Sequence, residues 1–280
     1  MPIGLSFRTF QSLSYAIEVS RRHCPAERNP GIFALYVMFY PQLVAGPIER
    51  PQALLPQFHA RKKFNADDLQ YGLTRMAFGF FKKVVVADRL APYVDAVYAD
   101  IPGSNGITVL VATIFFAVQI YCDFSGYSDI AIGAARVMGF RLMENFTRPY
   151  LSSSVSEFWG RWHISLSSWF RDYLYIPLGG NRVVRWRWYY NLMIVFLASG
   201  LWHGAAWTYV IWGGLHGAYL IAAIALKPAT GRISNFLLGQ LNKAIGILTT
   251  CTLVTLAWAF FRAHSAADAF VGLRKMVAME

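Results

Sequence analysis

Apolar residues in this chain gather in runs free of Asp, Glu, Lys and Arg, and four of these runs approach the ~18–20 residues needed to cross ~30 Å of hydrocarbon. They cover positions 31–48, 103–122, 188–226 and 244–261. The first contains Pro41 and Pro47, whose missing backbone donors leave a broken or re-entrant span as open as a straight one. The third is 39 residues long, enough for two spans joined by a tight turn, and Gly200, Gly204, Gly213, Gly214 and Gly217 supply turns or close packing. This pattern predicts an all-α, polytopic membrane protein. With no internal repeat and no low-complexity tract, 1–280 reads as a single membrane domain.

Between the runs lie apolar segments that carry charge. Positions 73–97 place Lys82 and Lys83 beside Phe78, Phe80 and Phe81, which predicts an interfacial helix or one that snorkels its lysines outward. Positions 123–140 hold Asp123, Asp129 and Arg136 among small residues; charge at membrane depth is expensive, and a functional and a structural role stand equally open. Pro41, Pro47, Pro51 and Pro56 predict a stiff irregular connection over 40–58. From the capping-box spelling Ser154-Val-Ser-Glu157 onward, Phe158, Trp162, Leu166, Trp169 and Tyr173 recur at helical spacing and predict one amphipathic helix. Its other face carries Glu157, Arg161, Ser165, Ser168 and Asp172, with Glu157 and Arg161 placed for an i,i+4 ion pair and His163 at the border.

Composition sharpens this reading. Of 280 residues 56% are hydrophobic and 15% charged, against roughly 45–50% and 25% in soluble domains. Soluble, disordered, coiled-coil and disulfide-scaffold classes are thereby excluded. The net charge of +11 fits cationic loops flanking membrane spans better than nucleic-acid binding, and the clusters Arg21 with Arg22, Arg61 to Lys63, and Arg182, Arg185 and Arg187 are of that kind. Cys24, Cys122 and Cys251 are odd in number and far apart, so no disulfide framework or CxxC site follows. Arg8 and Glu18 interrupt the first 20 residues, which therefore do not read as a signal peptide.

Six histidines are present, and His203 stands out inside the 39-residue run, in Leu201-Trp202-His203-Gly204. An imidazole there is either satisfied by a backbone carbonyl or functional. His216 lies 13 residues on and needs a helical hairpin to reach the same place. The spacings among His163, His203 and His216 match no zinc motif, so no metal site is expected. No P-loop, GxGxxG turn, GxSxG elbow or kinase signature occurs.

Four tracts are similar to the membrane-bound O-acyltransferase (MBOAT) family: Tyr40-Pro41-Gln42-Leu43-Val44-Ala45-Gly46-Pro47-Ile48, Tyr121-Cys122-Asp123-Phe124-Ser125-Gly126-Tyr127-Ser128-Asp129, Phe158-Trp159-Gly160-Arg161-Trp162-His163-Ile164-Ser165-Leu166 and Leu201-Trp202-His203-Gly204. The tract Trp169-Phe170-Arg171-Asp172-Tyr173-Leu174-Tyr175-Ile176-Pro177-Leu178-Gly179-Gly180 resembles the alginate-acetylating bacterial branch. The resemblance implies broken and in-plane helices around a tunnel in the bacterial inner membrane. It implies acetyl transfer from a cytoplasmic thioester, acetyl-CoA, towards hydroxyls of an extracytoplasmic polysaccharide such as alginate, or of another cell-envelope polymer, with periplasmic acetyltransferase partner proteins. It also matches His203 to the family's invariant histidine and His163 to the second histidine of this branch, with His216 in a family-like stretch.

No bound cofactor beyond the acyl donor and no nucleic-acid partner is indicated. On this view His203 is the base, and His163 polarises the thioester carbonyl, orients the acceptor or relays the proton. Arg161 or Asp172 fixes the imidazole, and Trp159, Trp162, Trp202 and Trp207 line the tunnel or pack helices. Met1-Pro2-Ile3-Gly4-Leu5-Ser6-Phe7 resembles an internal family motif, so the domain is expected to be incomplete at both ends. A channel built on Asp123, Asp129 and the histidines is the competing class; dependence on acetyl-CoA and loss of activity in His203→Ala separate the two.

Overall fold

A computed structural model of the protein describes residues 3–43, 46–234 and 239–279. Met1 and Pro2 of the N-terminal tract, and Val44 and Ala45 of the Tyr40 tract, lie outside the described residues. Among the described residues the chain is helical and contains no strand, as the uncharged runs predict. The helices are α1 (Ile3–Ser20), α2 (Pro30–Met38), α3 (Pro51–His59), α4 (Ala66–Phe80), α5 (Asp88–Ala99), α6 (Gly106–Val137), α7 (Val155–Arg161), α8 (Ile164–Phe170), α9 (Arg185–His203), α10 (Trp207–Ser234), α11 (Gly239–Arg262) and α12 (Ala266–Ala278). Among the described residues three helices contain stretches long and apolar enough to cross a membrane: Gly106–Val137, Trp207–Leu226 and Gln240–Arg262.

The chain forms two compact units. Unit 1 comprises Met1–Asp88, Tyr121–Phe146 and His163–Leu166; unit 2 comprises Arg89–Ile120, Thr147–Trp162 and Ser167–Glu280.

Of the two readings left open for the run at 31–48, the structure of unit 1 shows the broken one. Asn29 caps α2 by accepting the N–H groups of Gly31 and Ile32, the helix stops at Met38, and Pro41 continues only as a 3-10 turn over Tyr40–Gln42. The irregular connection predicted over 40–58 requires correction from Pro51 onward. Pro51 sits in the first turn of α3, where no donor is needed, and burial of Leu54 and Leu55 carries the helix past Pro56. Those leucines pack with Tyr36, Phe39, Ile132, Ala135 and Leu142.

A second correction concerns 123–140, which is not a separate segment but the continuation of α6. Its charges are paired by α4 and the π-helical stretch Phe81–Ala87 that follows it. Asp129 receives Arg75 at 2.9 Å and Lys82 at 2.6 Å, Lys83 lies 2.8 Å from both Asp123 and Asp88, and Arg136 lies 2.6 Å from Asp68. The lysines therefore turn onto α6 rather than snorkelling outward. The close approach rests on four glycines. A Cβ on Gly72 or Gly133 would meet the other's carbonyl oxygen at 2.6 Å, and Gly79 and Gly126 stand in the same relation at 2.6 and 2.7 Å. With both pairs seven residues apart and running oppositely, α4 and α6 cross antiparallel on a bare backbone seam.

In unit 2 the 39-residue run becomes α9 and α10 joined by a turn of three residues, and of these two helices α10 is the one long and apolar enough to cross a membrane. Here a Cβ on Gly200 or Gly213 would lie 2.3 Å from a carbonyl oxygen of the opposing helix. Trp258 of α11, nearly fully buried, lies 5.1 Å from the Trp162 ring and donates Nε1 to the Tyr150 hydroxyl at 3.1 Å.

Candidate active site

The amphipathic helix predicted from Ser154 onward is interrupted where its histidine lies. Ser154 caps α7 by accepting the Glu157 N–H at 3.2 Å, but Glu157 Oε2 reaches back to the N–H and hydroxyl of Ser153. Those bonds hold its carboxyl below the usual range, and Arg161 completes the expected ion pair at 2.5 Å. The helix ends at Arg161. Trp162 is extended, and His163 takes a left-handed backbone with φ 45°, after which α8 begins. The apolar stripe is nonetheless buried as its spacing predicts, with Phe158, Trp162, Leu166 and Trp169 all inside, but Ser165, assigned to the polar face, is fully enclosed. A left-handed histidine is uncommon and costs strain unless its surroundings hold it.

In unit 1 those surroundings are the rings of Phe7, Phe124 and Phe146, with centroids 6.0, 4.6 and 6.3 Å from that of His163, and the side chain of Asn145. His163 is 2% exposed and Asn145 0%. Asn145 Oδ1 lies 3.1 Å from His163 Nδ1 and accepts the Ser165 N–H at 3.2 Å and the Ser165 hydroxyl at 2.9 Å. The backbone oxygen of Asn145 accepts the Ile164 N–H at 2.9 Å. Asn145 is thus a polar side chain that meets this imidazole. Arg161 is engaged with Glu157, and Asp172 lies 2.9 Å from Arg171 Nε in the π-helical stretch Arg171–Tyr175. Asn145 carried no motif and no charge, which is why the sequence did not single it out.

In unit 2 the hairpin brings His203 and His216 against one indole. The Trp212 ring centroid is 5.1 Å from that of His203 and 5.0 Å from that of His216. His203 is half-buried at the end of α9, walled by Trp202 at 4.7 Å, Phe261 at 5.0 Å and, further off, Tyr209. Gly204 follows it because a Cβ there would lie 2.5 Å from the Tyr209 ring. Among the described residues none hydrogen-bonds to the His203 ring, so its nitrogens are available to a substrate.

His216 is differently held. Fully buried, it accepts the Trp159 indole N–H on Nδ1 at 3.3 Å, and since an indole can only donate, the proton of this ring sits on Nε2. Trp202 thus edges His203, Trp162 packs on Phe158 and Trp258, and Trp207 is 76% exposed at the start of α10. Among the described residues no group of three or more His, Cys, Asp or Glu side chains is placed to hold a metal ion.

Comparison with known proteins agrees with these tracts. Residues 28–261 match the family model described as MBOAT, membrane-bound O-acyltransferase family. The chain is 46% identical over 269 residues to a protein of Azotobacter vinelandii named probable alginate O-acetylase AlgI, covering 95% of this chain and 51% of that protein. It is 36% identical over 305 aligned positions to the peptidoglycan O-acetyltransferase of Helicobacter pylori, covering 100% and 57%. It is 30% identical over 233 residues to the teichoic acid D-alanyltransferase of Bacillus subtilis, covering 78% and 58%. The chain thus spans about half the length of the curated relatives it matches. With several helices fit to cross a bilayer, and with its histidine-bearing tracts inside the matched region, this chain is a multi-pass membrane protein that belongs to the membrane-bound O-acyltransferase family.

Proposed function

We propose that the protein transfers an acetyl group from acetyl-CoA on the cytoplasmic side of the bacterial inner membrane towards hydroxyls of an extracytoplasmic polysaccharide, alginate, together with periplasmic acetyltransferase partners. The observation that carries this reading is the alginate O-acetylase likeness along 95% of the chain. The more distant relatives named above also transfer acyl groups to envelope polymers.

The chemistry of the site supports the reading. Attack on a thioester requires removal of a hydroxyl proton as the new C–O bond forms and the C–S bond breaks, and the proton then leaves with the thiol. A histidine whose nitrogens are uncommitted, enclosed by Trp202, Trp212 and Phe261, can accept that proton, which makes His203 the base. His163 assists at the acceptor hydroxyl. The membrane carboxylates on which a conduction path would depend, Asp123 and Asp129, are each engaged by cationic side chains.

The test is polysaccharide-bound acetyl in a deletion strain complemented with the intact reading frame, wild type or His203→Ala, with membrane levels of both measured. Acetylation restored by wild type and abolished in an equally abundant variant is the expected result. Equal restoration by both removes His203 from the mechanism, and restoration by neither removes the polysaccharide assignment.

A further inference from the structure

We propose that Asn145 is a positioning residue that holds His163 with its proton on Nδ1, so that Nε2 carries the lone pair and serves the acceptor side of the reaction rather than the thioester carbonyl. The inference rests on the reading that His163 takes part in acyl transfer, and it selects among that histidine's roles.

The orientation of the Asn145 amide is settled by its neighbours. Its side-chain atom facing Ser165 receives a backbone N–H at 3.2 Å, and a backbone N–H can only donate, so that atom is the oxygen. The nitrogen is then the atom 3.1 Å from the Ser128 hydroxyl, to which it donates. The same oxygen lies 3.1 Å from His163 Nδ1, and an imidazole nitrogen facing a carbonyl oxygen must carry the hydrogen. A ring with its single proton on Nδ1 has its basic nitrogen at Nε2. Such a ring accepts a hydrogen bond from a hydroxyl and cannot donate one from Nε2 to a thioester carbonyl. Orientation of the acceptor and relay of its proton follow; polarisation of the donor does not.

Asn145 also holds the strained backbone that aims the ring. Its main-chain oxygen takes the N–H of Ile164 and its side chain that of Ser165, the two residues after the left-handed His163. The orienting group is a neutral amide, which fixes the tautomer of the neutral ring without adding charge that would favour imidazolium. Around the ring stand Phe7, Phe124 and Phe146, the Asn145 amide and the Ser165 hydroxyl. His216, with its lone pair on Nδ1 turned to Trp159, has the opposite polarity.

The experiment is acetyl transfer from acetyl-CoA in membranes carrying the intact reading frame, measured from pH 5 to 9, for wild type, His163→Ala, Asn145→Leu and Asn145→Asp. His163→Ala tests the underlying reading: wild-type kcat in that variant ends it whatever Asn145 does. With His163→Ala inactive, Asn145→Leu is expected to lose on the order of 10²-fold in kcat with little change in KM. Asn145→Asp keeps the acceptor and is expected to retain alkaline activity, with its acidic limb displaced upward by about one pH unit or more as the new carboxylate favours imidazolium. Wild-type kcat in Asn145→Leu, or an unmoved pH profile in Asn145→Asp, overturns the inference. So does an Asn145→Asp protein that fails to accumulate in membranes where His163→Ala accumulates, since Asn145 would then serve folding alone.

Discussion

Glu49 shows how a single buried carboxyl imposes a pH dependence. It is 2% exposed, its Oε1 accepts the Met143 N–H, and Tyr36 donates its hydroxyl to the Glu49 backbone oxygen at 3.0 Å. Burial pushes its carboxyl from the ordinary 4.5 up to about 7, against the opposing effects of the Met143 bond and Arg50. Because the folded state then holds a proton that the unfolded chain releases, stability is greatest below pH 4.5, falls through the interval to 7 and is flat above it, a loss of about 3 kcal/mol. Glu49→Gln keeps the acceptor for Met143 and cannot ionise. Thermal unfolding in detergent is expected to show that interval flattened in the variant, with its Tm above wild type at pH 8 and level with it at pH 4. At this scale the sequence identified His163, His203 and His216 because histidine in an apolar run is conspicuous. It did not identify Asn145, Glu49 or the link from Trp159 to His216, because a partner 18 or 57 residues away is defined only once the chain has folded.

At the scale of elements, backbone contact and charge pairing act on the same two helices. The seam between α4 and α6 leaves no room for a methyl group at Gly72, Gly79, Gly126 or Gly133. Gly133→Ala drives its Cβ to 2.6 Å from the Gly72 oxygen and to 2.7 Å from Met76 Cγ; the helices must part, at a cost of about 1–3 kcal/mol, read as a lowered Tm. Separation also lengthens the ion pairs beside the seam. Asp129→Asn removes the carboxylate shared by Arg75, which keeps Glu144, and Lys82, which among the described residues pairs with no other carboxylate; about 3 kcal/mol of destabilisation is expected. Lys82→Met placed on that background should return part of the loss, and a double-mutant cycle with no coupling between the two positions would refute the pairing. The uncharged runs predicted the spans of α10 and α11 well because length and apolarity decide such spans. They did not show where Lys82 and Lys83 turn because a lysine in an apolar helix seeks either water or a carboxylate, and only the topology places Asp123 and Asp129 within reach. The helix predicted past Ser154 fails for a related reason, since periodicity records which side chains are buried and not whether the backbone turns at His163.

For the molecule as a whole, the class was legible: hydropathy alone dictates helices that cross a bilayer, and lipid permits few alternatives. The division into units was not, because neither unit is a continuous stretch of chain. Unit 1 takes Met1–Asp88 but completes itself with Tyr121–Phe146 and His163–Leu166. Its N-terminal part alone holds Arg75, Lys82 and the glycine faces at 72 and 79, whereas their counterparts Asp129, Glu144, Gly133 and Gly126 all arrive later in the chain. A polypeptide of residues 1–88 would therefore expose cations without carboxylates and a helix face without a partner. It is expected to remain protease-sensitive in membranes. Extension to residue 146 adds α5 and the whole of α6, the remaining carboxylates and Leu142 of the core around Tyr36, and should confer protection of the α4 region from proteolysis. Equal protection of both polypeptides would mean that the first 88 residues fold without α6, and the ion pairs and glycine seam would then contribute little to the stability of this unit.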